Sequence, residues 1–245
     1  IVKTLDYQPD LNASKLIFGP DGYLYMSTIN TNTIRRYDIT TGTFQGIFVS
    51  SGSGGLDWPR GMGFGPDGNL YVCSWNTDNI LRYNGTTGAF IDEFVPAGSG
   101  GMDVPAALTF GPDGNLYVCN FVISNVLRYN GTTGEYIDEF IPAGTGGLDH
   151  PNWLEFGIDG DFYVGGGLSS NVIRYDGATG ALIGELVTTG SGGLNISNSF
   201  AFYPKVKPTP TPTVTETPTV TWTSTETQTP TDTPTPTSTA TPTDT

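Results

Sequence analysis

Residues 108–119 read L-T-F-G-P-D-G-N-L-Y-V-C, and residues 125–141 read N-V-L-R-Y-N-G-T-T-G-E-Y-I-D-E-F-I. Short runs of β-favouring residues alternate here with turn chemistry. In Gly111-Pro112-Asp113-Gly114 the proline fixes φ and the second glycine accepts a positive φ, so the chain reverses; Asn130-Gly131-Thr132-Thr133-Gly134 reverses it again. The same text returns every 46 residues, at Asp21-Gly22, Asp67-Gly68, Asp113-Gly114 and Asp159-Gly160, with Phe18, Phe64, Phe110, Phe156 and Phe202 in register. A fixed period of this length marks a repeat architecture. Four antiparallel strands per unit, with no helical periodicity between them, is the pattern of a propeller blade.

The fold class expected is therefore all-β: a β-propeller of four complete 46-residue blades plus an incomplete fifth, followed by an extended Thr/Pro-rich tail. Innermost strands are expected around 15–19, 61–65, 107–111, 153–157 and 199–203, but only four second and four third strands can be found. A blade left unfilled exposes unpaired ladder groups, so either flanking sequence or another segment is expected to supply the missing strands. Tyr25, Tyr71, Tyr117 and Tyr163, and the Arg-Tyr pairs that begin at Arg36, Arg82, Arg128 and Arg174, recur in every unit. Their recurrence points to packing and hydrogen bonding between blades.

The domains expected are a propeller over 1–205 and an extended stalk over 206–245. From 209 to 245 every odd-numbered residue is threonine. This mucin-like composition makes O-glycan acceptors of Thr209, Thr211, Thr213, Thr215, Thr217, Thr219, Thr221, Thr223, Thr225, Thr227, Thr229, Thr231, Thr233, Thr235, Thr237, Thr239, Thr241, Thr243 and Thr245. Its prolines favour polyproline II, giving a linker of about 120 Å at ~3.1 Å per residue. One proline-free stretch reads as strand, and Thr219, Val220, Thr221, Trp222 and Thr223 are candidate donors that would fill the fifth blade in the same or a neighbouring subunit by strand addition.

The 245 residues carry a formal net charge of −14. An acidic surface without basic clusters disfavours nucleic acid and anionic lipid headgroups as partners, and no apolar run is long enough for membrane insertion. The chain opens on Ile1, so export is argued from the stalk, which points to an extracellular or cell-surface location. Cys73 and Cys119 hold one position in neighbouring repeats, which suits two small buried residues, or a bridge between blades.

F-G-P-D-G-N-L-Y-V followed by I-L-R-Y-x-x-x-T-G resembles NHL-type propellers and the related SMP-30/gluconolactonase and virginiamycin B lyase families. The resemblance covers about 200 residues and implies the fold more than any activity, since enzymes and binding modules share this text. A gluconolactonase-like site implies a divalent metal at the axis. Here Pro151-Asn152-Trp153 resembles that family's Pro-Asn-Gly text, but Gly165-Gly166 follow Tyr163-Val164 where an Asp is usual. A lyase-like site implies catalytic histidine, and the chain holds only His150, which varies between repeats. No enzymatic activity is expected.

Three sets of residues are candidates for binding. Asp57, Asp103 and Asp149 occupy equivalent loops, with Asn195 in the fourth. A ring of carboxylates at one mouth suits Ca2+, while the same side chains also serve to cap their own turns. Trp58, Trp75, Phe121 and Trp153 break the repeat, and aromatic faces near a propeller mouth suit sugar stacking as well as loop packing. Sequons occur at Asn12, Asn84, Asn130 and Asn195. The function expected is a non-enzymatic, glycosylated structural or fibre subunit that self-associates head-to-tail, requiring no cofactor beyond covalent glycans. The alternatives are a carbohydrate- or protein-binding propeller tethered by a stalk, and a metal-dependent lactonase-like or lyase-like enzyme.

Overall fold

The computed structural model describes residues 12–195. The strand expected at 199–203, the candidate donor segment and the nineteen tail threonines lie outside the described residues.

Sixteen strands form four antiparallel sheets, each running outward in chain order. Blade 1 holds β1 (Ala13–Phe18), β2 (Tyr23–Thr28), β3 (Thr33–Asp38) and β4 (Phe44–Val49); blade 2 holds β5 (Pro59–Phe64), β6 (Leu70–Ser74), β7 (Asn79–Tyr83) and β8 (Phe90–Val95). Blade 3 holds β9 (Pro105–Phe110), β10 (Leu116–Asn120), β11 (Asn125–Tyr129) and β12 (Tyr136–Ile141); blade 4 holds β13 (Pro151–Phe156), β14 (Phe162–Gly166), β15 (Asn171–Tyr175) and β16 (Leu182–Val187). Among the described residues the protein is a four-bladed β-propeller. The inner strands begin about two residues earlier than their apolar text suggests, because Pro59, Pro105 and Pro151 open β5, β9 and β13. Proline is tolerated at the first residue of a strand, where its missing N–H breaks no ladder bond.

Among the described residues the core has one large cluster at each junction between consecutive blades, and a small fourth one within blade 1, where Met26 and Tyr37 pack with Leu24. At the first junction Tyr25, Ile34 and Val49 of blade 1 meet Met62, Leu70 and Val72 of blade 2. Phe64 packs edge-on to Tyr25 at 5.1 Å, Phe110 to Tyr71 at 4.9 Å and Phe156 to Tyr117 at 5.1 Å, so one aromatic contact is made three times. The recurrent tyrosines serve these junctions, whereas Arg36, Arg82, Arg128 and Arg174 pair with aspartates of their own blades, contrary to the between-blade role expected for them. Tyr83, Tyr129 and Tyr175 donate to the carbonyls of Ser53, Ser99 and Thr145, in the loop that enters each blade, at 2.7–2.8 Å. The inner strands β1, β5, β9 and β13 pack in that order, with no comparable packing between β13 and β1.

The Gly-Pro-Asp-Gly turn is held by its aspartate. Asp113 accepts from the Asn115 backbone at 3.0 Å, from Asn115 Nδ2 at 2.7 Å and from the Tyr117 hydroxyl at 3.0 Å. Burial alone would raise the Asp113 carboxyl, but these donors and the Arg128 charge outweigh it and hold the group below its ordinary value; Asp67 is held in the same way. A carboxyl depressed in the fold contributes its full stability above its unfolded pKa of about 3.9, and loses it as pH falls through the folded value. Thermal melts should be flat from pH 7 to about 5 and fall below about pH 4. Asp113→Asn should melt lower at pH 7 and lose less than wild type between pH 5 and pH 3.

Candidate functional site

Each loop that enters a blade closes against the turn between the second and third strands of the same blade, at one mouth of the propeller. Trp75 N–H donates to the Trp58 carbonyl, Phe121 N–H to that of Val104 and Gly167 N–H to that of His150, at 2.9–3.2 Å. Trp58, Val104 and His150 all have positive φ, at 58°, 60° and 51°. Positive φ is costly for any side chain other than glycine, most of all for β-branched Val104. A second contact holds each of these residues from the preceding blade. Trp58 N–H donates to Asn32 Oδ1 at 2.9 Å, Val104 N–H to Asp78 Oδ1 at 2.8 Å and His150 N–H to Ser124 Oγ at 3.0 Å.

These clasps account for two of the three candidate carboxylates. Asp57 accepts from Asn32 Nδ2 at 2.9 Å and Asn76 Nδ2 at 3.2 Å. Asp149 accepts from Ser124 Oγ at 3.3 Å and contacts His150 Nδ1 at 2.6 Å. Apart from the adjacent His150, the partners come from other turns, where the sequence suggested capping of each residue's own turn. Asp103 differs again: its backbone N–H donates to Asn120 Oδ1 at 2.7 Å. The structure does not draw Asp57, Asp103 and Asp149 together, and among the described residues no three His, Cys, Asp or Glu side chains gather in a group able to hold a metal ion. Cys73 and Cys119 are buried and unbridged, and burial pushes both thiols up.

The repeat-breaking aromatics do come together. Trp58 lies edge-on to Trp75 at 6.0 Å, Trp75 is tilted against Phe121 at 5.0 Å, and Phe121 meets the His150 ring at 4.7 Å. This row crosses three blades along one mouth. Trp153 stands apart from it, in the wall of an axial cavity of about 450 Å3 lined by the inner strands of all four blades. The cavity holds two cations that the repeat text did not single out. Lys15 Nζ sits 2.9 Å from the centre of the Trp153 ring, and the Arg60 guanidinium lies 4.3 Å from that of Trp75, joining the cavity to the aromatic row. Burial lowers the Arg60 pKa.

The opposite wall is made of small residues. A Cβ on Gly61 would lie 2.5 Å from the Ala107 Cα, so glycine is what allows β5 and β9 to approach there. The signal that marks Lys15 and Arg60 was present in the sequence. Positions 14, 60, 106 and 152 hold Ser, Arg, Ala and Asn, and positions 15, 61, 107 and 153 hold Lys, Gly, Ala and Trp. Both positions differ in every unit, as do positions 12, 58, 104 and 150 before them and 17, 63, 109 and 155 after them, while the Pro59, Pro105 and Pro151 position and the Phe18, Phe64, Phe110 and Phe156 position hold the register.

No protein family matches this chain, and no curated protein does. Solved structures do share its fold. Hydrazine synthase of Kuenenia stuttgartiensis is similar with a TM-score of 0.58 at 21% identity, over 77% of this chain and 53% of that one. Virginiamycin B lyase of Staphylococcus aureus is similar with a TM-score of 0.57 at 21% identity, over 74% of this chain and 57% of that one. A protein of unknown function from Bacteroides caccae gives 0.60 at 13% identity, over 78% and 72%. The chain thus spans about half the length of the first two. At these identities the likeness shows the fold alone, that of a β-propeller.

Proposed function

We propose that the chain is a non-enzymatic structural subunit of the extracellular space or cell surface, in which a propeller head (1–205) on an O-glycosylated stalk (206–245) joins a second copy head-to-tail. One observation carries this reading: the first blade presents an inner-strand face that every other blade has covered. Phe18 is 69% exposed, whereas Phe64, Phe110 and Phe156 each pack on a tyrosine of the blade before. Leu16 is 50% exposed, while its counterparts Met62, Leu108 and Leu154 are buried. At the far end Leu186 is 56% exposed where Phe94 and Phe140 are buried. These are the two halves of a junction made three times within the chain, and joining them between copies gives a heterologous contact that propagates. The stalk offers Thr219, Val220, Thr221, Trp222 and Thr223 as a strand to the same junction.

The mouth aromatics favour a second reading, a binding module tethered by the stalk. Negative-stain imaging of the full chain separates the two. Polymers are expected from the wild type, with Phe18→Asp reducing them to single particles at an unchanged melting temperature, because Phe18 is exposed. Deleting residues 208–245 tests the strand route. Discs that stay single in the wild type, or polymers that persist in both variants, would overturn the structural reading.

A further inference from the structure

We propose that the axial cavity binds a small carboxylate-bearing ligand, with Arg60 taking the carboxylate and Lys15 as the second cation. The chain is strongly acidic, yet among the described residues the ionisable side chains lining the cavity are Lys15 and Arg60. A cationic pocket in an acidic surface concentrates small anions at that point.

Arg60 also differs from the arginines of the repeat. The four repeat arginines each have an aspartate: Arg36 with Asp21, Arg82 with Asp92, Arg128 with Asp138, and Arg174 with Asp159 and Asp161. Arg60 has no carboxylate within ion-pair distance among the described residues, although it is half-buried. Burying a cation without its counter-charge is costly. Here the guanidinium rests on the Trp75 indole instead, which steadies its plane while leaving its edge to donate. A planar fork of N–H donors matches a carboxylate in two parallel bonds. Lys15 is positioned in the same manner, on Trp153. Cations held in place before the ligand arrives lose little freedom when it binds.

The volume of about 450 Å3 falls within the range of small-ligand sites, roughly 300–1,000 Å3. Asn12, Ser14 and Asn152 also line it and bring uncharged donors and acceptors suited to hydroxyl or amide groups beside the carboxylate. Packing alone would be served by one residue type repeated four times around the axis. The divergence at positions 14, 60, 106 and 152 fits recognition of a molecule that lacks that repetition.

The site is independent of the assembly reading and is tested by titration calorimetry on the full chain at low salt. The probes are D-galacturonate and D-glucuronate, with D-galactose and sulfate as comparators. A hexuronate is expected to saturate a single site, with galactose and sulfate at least tenfold weaker. Arg60→Met should weaken hexuronate binding at least tenfold without lowering the melting temperature, because it removes a buried charge that lacks a carboxylate. Lys15→Met should weaken it by a smaller factor, and this second variant serves if the first fails to fold. Galactose binding as tightly would make the site one for neutral sugars, and sulfate binding as tightly would make it a general anion site; either overturns the proposal. So would the absence of saturable hexuronate binding, or binding unchanged by Arg60→Met.

Discussion

Gly134→Ala should be among the most damaging single-methyl changes in this protein, lowering stability by about 3 kcal/mol or more and the melting temperature by about 10 °C. Two costs coincide at this residue. Its φ is 76°, in the left-handed region, and a Cβ there would lie 1.9 Å from the Phe94 carbonyl oxygen of the preceding blade. Backbone cannot swing aside as a side-chain end can, so the whole junction between blades 2 and 3 must open. Gly114→Ala separates the two costs. Its φ is 80°, but nothing lies within 4 Å of the added carbon, so only the conformational penalty of about 1–2 kcal/mol applies. Differential scanning calorimetry of the two variants should show Gly134→Ala at least twice as destabilising. Equal losses would mean that the junction yields at little cost.

Tyr117→Ala should cost about 3–5 kcal/mol. The ring is fully buried and meets Phe140 at 4.8 Å, Phe156 at 5.1 Å and Phe162 at 5.4 Å. Removing it empties the point where blade 3 receives blade 4. Tyr117→Phe keeps the ring and loses only the bond to Asp113, for about 1 kcal/mol. Denaturant melts should rank wild type, Tyr117→Phe and Tyr117→Ala in that order. Near-equal losses in the two variants would assign the residue's importance to its hydroxyl.

The blade plan was legible in the sequence because every unit repeats the same turn chemistry: Asp113 and Gly114 reverse the chain between β9 and β10 for reasons local to four residues. The strand starts are less legible: the apolar text begins about two residues inside each inner strand, because Pro59, Pro105 and Pro151, residues typical of loops, are the first residues of β5, β9 and β13. The aromatic row was legible as well. Trp58, Trp75 and Phe121 stand out against constant text, and the same comparison, applied to charge, marks Arg60 and Lys15. The role of Asp57 and Asp149 was not legible. Their partners Asn32 and Ser124 sit 25 residues upstream, on turns whose left-handed backbone is shared by Asn32, Asp78, Ser124 and Ser170. No single residue type announces that geometry, so the clasp is visible only once neighbouring blades are placed side by side.

Among the described residues the large apolar clusters run from each blade to the next, which makes the head behave as a row of linked units. In such a row, loosening at one end need not be felt at the other. The axial cavity departs from this rule, because its walls come from the inner strands of all four blades. A molecule seated there would be the one element touching every unit at once, turning a chain of pairwise contacts into a body that responds as a whole.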